Sequence, residues 1–297
     1  MTMTITPRPA LNPAFSAPMR FVRQQPVGAL CFVIIVVMIF AGIFAEYVAP
    51  YQPRANDYTA LLSAPSWSHP AGTDSYGRDI FSRIIYGART AMIIGLSAAF
   101  LGCSAGALLG ATSAYFGGRV DAVIQRIVDL LLAFPLVVLA LVVVAILGRN
   151  PVWGIDISLI FAIAIPIIPQ VSRVIRAAAL SVRVMPYIDA ARTAGYSHLR
   201  IIMRHMLPNL FTPYIIMLTS YVAQAILLEA TLSFLGLGVT EPTPAWGLML
   251  SGNAQDYFIT APWLIVFPGL AISLAVISFN LFGDALRDYL DPRLQQR

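Results

Sequence analysis

Hydrophobic positions in this chain gather into long uncharged runs and do not alternate with polar ones. An α-helix needs about 20 mainly apolar residues to cross the hydrocarbon layer of a membrane, and six runs reach or approach that length. They lie at residues 27–45 and within 90–118, 130–148, 157–172, 206–236 and 257–283. The pattern therefore predicts an all-α integral membrane protein with about six transmembrane helices.

The first and fourth runs each have a competing interpretation. Arg8, Arg20 and Arg23 precede the first run, as they would in a signal peptide. Its apolar part is longer than the usual signal core and no clear A-x-A site follows, so we expect a retained anchor. The fourth run is the shortest and contains Pro166 and Pro169, which predict a kinked or tilted span.

Composition supports a membrane environment and argues against a metal or redox centre. The chain is 58% hydrophobic and 11% charged, whereas soluble domains carry about 25% charged residues. Cys31 and Cys103 both lie inside apolar runs, which supports neither a disulfide framework nor a cysteine metal cluster. His69, His198 and His205 have no metal-binding spacing. We therefore expect no metal and no cofactor.

All basic residues of the chain are arginines, since the sequence contains no lysine. A Walker A loop requires a lysine that reaches the phosphates, so the chain is not a P-loop ATPase, and it cannot form a lysine Schiff base. The formal net charge of +5 does not indicate nucleic-acid binding, because the arginines first have to be sorted by membrane side.

The distribution of arginine predicts the orientation of the spans. Six spans place both termini on one side, and if that side is the cytoplasm, 14 arginines face in and five face out, as the positive-inside rule requires. The five are Arg54, Arg78, Arg83, Arg89 and Arg149. The predicted outer loop 238–262 has no basic residue but contains Glu241 and Asp256.

This topology divides the chain into five parts. They are a cytoplasmic tail (1–26), a first transmembrane helix (27–46), an extracytoplasmic loop (47–89), a five-helix core (90–283) and a cytoplasmic tail (284–297). The core includes a polar cytoplasmic loop at 173–209, where a soluble partner could reach the protein.

The polar loop contains a short predicted helix at residues 187–194. Its small-residue face is formed by Ala190, Ala191 and Ala194, and Asp189 and Arg192 have the i,i+3 spacing of a helical ion pair.

A glycine elbow is predicted directly after this helix. Gly195 suits a helix C-terminal stop, because glycine adopts the left-handed conformation at little cost. Ser197 can cap a second helix that runs through Leu207, and Pro208 is expected to limit its length. The product is a compact helix–elbow–helix unit on the membrane face.

Small residues recur in the second span at Gly102, Gly106 and Gly110. This four-residue spacing lets two helix backbones approach closely in lipid. Internal helix packing is the favoured interpretation, and lining of a passage is the alternative.

The outer loop 47–89 is too long for a simple connector. Asp79 is a plausible N-cap for a helix with an apolar stripe, formed by Ile80, Phe81, Ile84 and Ile85. The helix could lie on the membrane surface or pack on the other spans, and the loop could also form a docking surface for an outside partner.

Glu229 is the one carboxylate well inside a predicted span. Ionisable residues within membranes are functional candidates by default, but Glu229 falls near the outer end of the fifth span. A role in the translocation path and a structural role therefore both stay open. The structural role would be pairing with an arginine such as Arg89, or bonding to backbone amides near 232–238.

The polar loop resembles a motif known from membrane transporters, written E-A-A, three residues, G, nine residues, I-x-L-P. Asp189, Ala190, Ala191, Gly195 and the Leu207-Pro208 pair stand at its positions, with aspartate in place of glutamate. Other stretches match the same branch, namely Gly72-Thr73-Asp74 with Gly77-Arg78-Asp79, Tyr115-Phe116-Gly117-Gly118 with Asp121, residues 232–238, residues 242–247, and Gly283-Asp284 through Asp291-Pro292. From Val27 onward the chain resembles the permease subunits of bacterial ABC importers, in the C-type dipeptide permease group of the dipeptide/oligopeptide/nickel branch.

The resemblance implies a type I importer fold in the bacterial inner membrane and a set of partners. It implies a heterodimer with a second permease chain, two cytoplasmic ATPase subunits that hydrolyse ATP, and an extracytoplasmic solute-binding protein. The implied ATPase-coupling residues are Tyr187, Asp189, Ala190, Ala191, Arg192 and Gly195. The candidates for docking the binding protein are Asp74, Arg78 and Asp79.

The implied cargo is a dipeptide or oligopeptide, and glutathione, nickel or another small solute is the alternative. A secondary transporter would more often show an inverted repeat or several charged groups at mid-membrane. A membrane-embedded enzyme would need a convergent catalytic set, so we expect a non-catalytic permease in contact with lipid and with no nucleic-acid partner.

Overall fold

A computed structural model describes residues 13–152 and 155–290 of the chain, and this part is mainly helical. In chain order the helices are α1 (Pro13–Gln24), α2 (Pro26–Ile43), α3 (Ala45–Val48), α4 (Ile80–Phe116), α5 (Gly118–Leu132), α6 (Leu136–Leu147), α7 (Ile157–Arg183), α8 (Pro186–Thr193), α9 (His198–Ile201), α10 (Phe211–Phe234), α11 (Trp246–Met249), α12 (Asn253–Asp256) and α13 (Trp263–Leu290). A short antiparallel pair of strands, β1 (Pro151–Val152) and β2 (Ile155–Asp156), precedes α7.

Five helical stretches are long and apolar enough to cross a membrane, namely α2, α4, α7, the continuous run His198–Phe234 that ends in α10, and α13. Helices α5 and α6 meet at an angle of 95°, and counting them as one broken span gives six. The prediction of about six membrane helices in an all-α protein therefore agrees with the structure.

The third predicted span, 130–148, is not one helix. Helix α5 ends at Leu132 and α6 begins at Leu136, because Pro135 disfavours helical geometry at the residue before it. With 12 residues, α6 is about 18 Å long, which is shorter than the hydrocarbon layer of about 30 Å.

The fourth span is longer than its apolar run indicated. Helix α7 continues through Arg183, so the first part of the loop predicted at 173–209 is helical. Pro166 and Pro169 lie inside α7 and are buried. Packing on both sides therefore maintains a helix that two prolines would weaken in isolation.

Helix α7 packs closely against α4 through the predicted glycine stripe. A Cβ atom built on Gly102 would lie 2.8 Å from the carbonyl oxygen of Ala164, and one built on Gly106 would lie 2.7 Å from that of Ile168. Gly110 has the same relation to Ser172. The packing interpretation of this stripe is confirmed.

Helix α4 begins at Ile80, inside the predicted outer loop 47–89. The Asp79 carboxylate accepts a hydrogen bond from the Ser82 backbone amide at 2.8 Å, so the predicted N-cap is confirmed. The apolar stripe after Asp79 is the first part of α4 and not a separate surface helix. The loop is closed by a β-bridge between Thr73 and Asp79.

Candidate coupling site

Helix α8 forms the predicted short helix of the polar loop. Ile188 is fully buried and Ala191 is 5% exposed, and these two side chains anchor α8 to the core. Asp189 and Ala190 point outward and are exposed. The Arg192 guanidinium donates to the Asp189 carboxylate at 3.1 Å, which confirms the predicted ion pair and orients both charges on the exposed face.

The elbow after α8 is a Schellman motif. Gly195 has φ of +76°, its amide donates to the Arg192 carbonyl at 3.0 Å, and the Tyr196 amide donates to the Ala191 carbonyl at 3.2 Å. These are the two bonds that satisfy the last carbonyls of a helix in this motif. The predicted glycine stop is confirmed.

The second half of the predicted unit differs from expectation. Ser197 caps α9, accepting from the Arg200 amide at 3.4 Å, but the helix does not end near Leu207. A π-helical turn (Ile202–Met206) and a 3₁₀ turn (Leu207–Leu210) carry it directly into α10. Pro208 lacks an amide donor and crowds the preceding turn, so it alters the helical winding without ending the helix.

Two contacts that the sequence analysis did not foresee tie this unit to the end of α4. The Tyr115 hydroxyl and His198 Nδ1 are hydrogen-bonded at 2.8 Å, and the Arg192 guanidinium lies 5.0 Å from the centroid of the Tyr115 ring. The signal was present in the Tyr115-Phe116-Gly117-Gly118 motif, but only the fold brings it beside His198. We call residues 186–201 the coupling segment; it follows α7, continues into α10 and contacts α4 at Arg192 and His198.

Apolar side chains surround the exposed face of the coupling segment. Those with more than a third of their surface exposed are Val184, Met185, Tyr187, Tyr196, Leu199 and Met203. Arg192, Arg200 and Arg204 are also exposed on this part of the chain. An exposed apolar patch with polar residues at its edge is typical of a protein–protein contact.

The docking candidates at the opposite end of α4 form an ionic network. Arg78 donates from Nε to Asp74 at 2.6 Å and from Nη1 to Glu241 at 2.8 Å. Arg83, only 2% exposed, donates to the same Glu241 carboxylate at 3.1 Å. Asp79 lies apart from this network and is 3% exposed. Its Oδ1 is 3.0 Å from His69 Nδ1, so any effect of Asp79 on docking would be indirect.

The network lines a partly open cavity of about 210 Å³. Burial alone would lower the pKa of Arg78, but hydrogen bonds and charge from Glu241 and Asp74 outweigh it and raise the pKa. Arg78 therefore stays charged, and its carboxylate partners hold it in place.

Replacing Glu241 by glutamine is expected to destabilise the protein by about 2 kcal/mol. The substitution keeps the shape but leaves Arg83, which is 2% exposed, without the carboxylate that it bonds directly. The matched control is Glu46→Gln, because Glu46 is 3.6 Å from Arg89 in a solvent-exposed pair, which should contribute less than about 1 kcal/mol. Thermal unfolding in detergent measures both, and equal shifts would contradict the role assigned to Arg83.

Glu229 is fully buried in α10, and one of the alternatives considered for it, pairing with Arg89, does not agree with the structure. Arg89 donates to the carbonyls of Gly42 and Ile43 at 2.8 and 3.1 Å. Glu229 Oε1 accepts from the Ser233 hydroxyl at 2.7 Å, and that hydroxyl accepts from the Val239 amide at 3.0 Å. Glu229 thus connects to the backbone after α10 through Ser233, and its Oε2 has no hydrogen-bond partner within residues 13–152 and 155–290.

Comparison with known proteins gives matches over nearly the whole chain. The family described as binding-protein-dependent transport system inner membrane component matches residues 102–296, and the N-terminal transmembrane domain of oligopeptide transport permease C matches residues 19–65. The dipeptide transport system permease protein DppC of Haemophilus influenzae is 42% identical over 93% of this chain and 94% of its own. The glutathione transport system permease protein GsiD of Escherichia coli is 42% identical over 92% and 88%.

A putative peptide transport system permease protein of Brucella suis is 41% identical over 89% of this chain and 86% of its own. Among solved structures, the MetNI methionine ABC transporter in an inward-facing conformation aligns with a TM-score of 0.54, over 71% of this chain and 98% of the matched chain. Its sequence identity is 15%, so this likeness shows the fold, that of a type I ABC importer permease. The chain belongs to the family of binding-protein-dependent transport system inner membrane components, and it is a permease of a bacterial ABC importer.

Proposed function

We propose that the chain is one of two homologous permease subunits and forms half of a translocation pathway for dipeptides or oligopeptides. Two cytoplasmic ATPase subunits hydrolyse ATP, and an extracytoplasmic binding protein delivers the solute. In this assignment the chain is a non-catalytic subunit of the inner membrane, with both termini in the cytoplasm. The coupling segment is the observation that carries the proposal.

The contacts of the coupling segment suit the transmission of force. Ile188 anchors α8, the Schellman bonds fix the elbow, and α9 runs without interruption into α10. A displacement of α8 would therefore move a membrane helix, and the Tyr115–His198 bond would pass it to α4 as well. A rigid element of this kind is what a switch between two discrete packings requires.

Charge supports the proposed orientation of the coupling segment. Arg192, Arg200 and Arg204 lie on its side of the protein, whereas the ionic network of Arg78, Arg83 and Glu241 lies at the other end of α4. The first group would face the cytoplasm and an ATPase, and the second would face the binding protein. Asp74 and Arg78 are the proposed docking residues, with Asp79 fixing the start of α4.

The names of the relatives support a peptide substrate. Two relatives are named as dipeptide or peptide permeases and one as a glutathione permease, all at similar identity. Glutathione is itself a small peptide, so it is the second candidate within the same class of solute.

Copurification tests the proposed function, and Asp189→Arg tests the role of α8. The wild-type chain should be recovered in detergent with two ATPase chains and a second permease. The Asp189 side chain is 66% exposed, so reversing its charge should disturb the fold little but weaken ATPase association by about tenfold or more. Asp189→Glu keeps the charge and should retain the ATPase.

The ATPase content of the purified complex and peptide uptake into proteoliposomes provide the readouts. Recovery of the wild-type chain alone, with uptake driven by a proton gradient, would refute the importer assignment. Normal ATPase association in Asp189→Arg would refute only the role given to that carboxylate.

A further inference from the structure

Helix α5 has an apolar stripe that no other helix covers in the part of the chain described. Val120, Val123, Ile127 and Leu130 follow one another at three- and four-residue steps, which places them on one helix face. They are 45–64% exposed. Phe134, in the break before α6, is 51% exposed and follows at the same spacing.

A different face of α5 is fixed to the helix bundle. Asp121 accepts from Arg176 Nε at 2.6 Å, Asp129 pairs with Arg173, and Val128 is 1% exposed. The apolar stripe therefore points away from the bundle because the protein-facing side is already occupied.

These ion pairs also show how α5 is oriented. Arg173 and Arg176 are three residues apart in α7, about 4.5 Å along its axis, whereas their partners Asp121 and Asp129 are eight residues apart, about 12 Å along α5. The unequal axial spacing of the two partners indicates that α5 crosses α7 at an angle. The angle of 95° between α5 and α6 agrees with this arrangement.

The dimensions place α5 at the edge of the hydrocarbon layer. Helix α6 is about 18 Å long and a helix lying on its side adds about 10 Å, which together approach the hydrocarbon thickness of about 30 Å. Helix α5 directly follows the end of α4 that the Tyr115–His198 bond joins to α9. It therefore lies on the membrane face that carries the coupling segment.

Arg119 and Arg126 lie next to the apolar stripe, both exposed. Neither has an ion-pair or hydrogen-bond partner among residues 13–152 and 155–290, and the two acidic residues of α5 are already paired with α7. Helix α5 thus presents two uncompensated positive charges beside an apolar surface. A guanidinium group matches a phosphate group in charge and in bidentate geometry.

We propose that α5 is a helix in the plane of the membrane that binds anionic phospholipid. Its apolar stripe lies among acyl chains, and Arg119 and Arg126 bind the headgroup phosphates, as in interfacial amphipathic helices. This proposal rests on the proposed function only in treating the chain as a membrane permease. A second permease chain over the stripe is the competing occupant, but it would have to supply two negative charges at the same places.

Lipid enrichment tests the arginines. The full chain is reconstituted into nanodiscs of equal parts phosphatidylcholine and phosphatidylglycerol, and the lipids that remain bound after detergent extraction are counted by native mass spectrometry. Arg119→Gln and Arg126→Gln should each reduce the preference for phosphatidylglycerol about fivefold, since one basic residue near an anionic leaflet contributes ~1 kcal/mol. Arg54→Gln, an exposed arginine of the 47–89 loop, should leave the preference unchanged.

Depth measurements identify what covers the stripe. Spin labels on Val123→Cys and Ala122→Cys are compared, since Cys31 and Cys103 are buried. The label at 123 should be reached by oxygen dissolved in lipid, and the label at 122 by a water-soluble nickel complex.

A label at 123 that is shielded from both reagents would show that a protein chain covers the stripe and would overturn the proposal. An unchanged phosphatidylglycerol preference in both Arg119→Gln and Arg126→Gln would overturn it as well. ATPase copurification is scored separately, in the detergent extract from which the chain is purified before reconstitution. If no ATPase copurifies with the wild-type chain, the proposed function is refuted. The phosphatidylglycerol preference and the accessibility of the spin labels would still support lipid binding by α5.

Discussion

Replacing Gly106 with leucine is expected to prevent recovery of a stable, monodisperse chain. The first side-chain carbon would stand 2.7 Å from the Ile168 carbonyl oxygen and 2.8 Å from Val171 Cβ. The contact with Ile168 is to a backbone carbonyl, which cannot rotate away from the new side chain as another side chain could. Helices α4 and α7 would therefore have to separate. Overpacking costs about 1–3 kcal/mol at an ordinary core site, and separation would also weaken the contacts at Gly102 and Gly110, so a larger loss is expected here.

Gly269→Leu is the matched control for this substitution. Gly269 also lies inside a membrane helix, α13, but a Cβ atom there would meet nothing within 4 Å. Leucine is favoured over glycine in a helix by about 1 kcal/mol, so this variant should be recovered at least as well as wild type. Size-exclusion profiles and thermal unfolding in detergent compare the two variants. Equal stability of Gly106→Leu and wild type would contradict the close packing of α4 on α7.

The sequence predicts a membrane helix correctly where the length of the apolar run sets the helix ends. It does not predict the ends that depend on packing against other helices. The runs that became α2, α4 and α13 are long enough to identify alone. The last turns of α7 carry Arg173, Arg176 and Arg183, which a hydropathy reading assigns to a loop. In the fold these arginines pair with Asp129 and Asp121 or donate to the Ala114 carbonyl, so the helix continues.

Local chemistry made the coupling segment predictable, whereas its attachments depend on the fold. The ion pair of Asp189, the stop at Gly195 and the cap at Ser197 each involve residues within five positions of one another. The bond between Tyr115 and His198 joins residues far apart in sequence, and no local pattern indicates it. Glu229 shows both cases. Its partner Ser233 is local in sequence, whereas only the fold shows that Arg89 bonds to the Gly42 and Ile43 carbonyls and not to Glu229.

Substitutions at Gly195 are expected to reduce solute uptake least with asparagine, more with alanine and most with proline. A Cβ atom at Gly195 would meet nothing within 4 Å, so the effect is conformational and not steric. Asparagine tolerates positive φ and should stay close to wild type, whereas alanine pays about 1–2 kcal/mol in the left-handed region. Proline fixes φ near −65°, against an observed φ of +76°, and removes the amide that donates to Arg192.

The proline variant should lose the elbow and with it the connection between ATP hydrolysis and transport. A conformational cost of about 3 kcal/mol corresponds to roughly a hundredfold reduction in the population of the intact elbow. Membrane insertion should be unaffected, because Gly195 is exposed and lies outside the apolar helices. The assay measures uptake and ATP hydrolysis in the same proteoliposomes, and hydrolysis should persist while uptake falls. Wild-type uptake in the proline variant would show that the coupling segment does not act as a rigid lever.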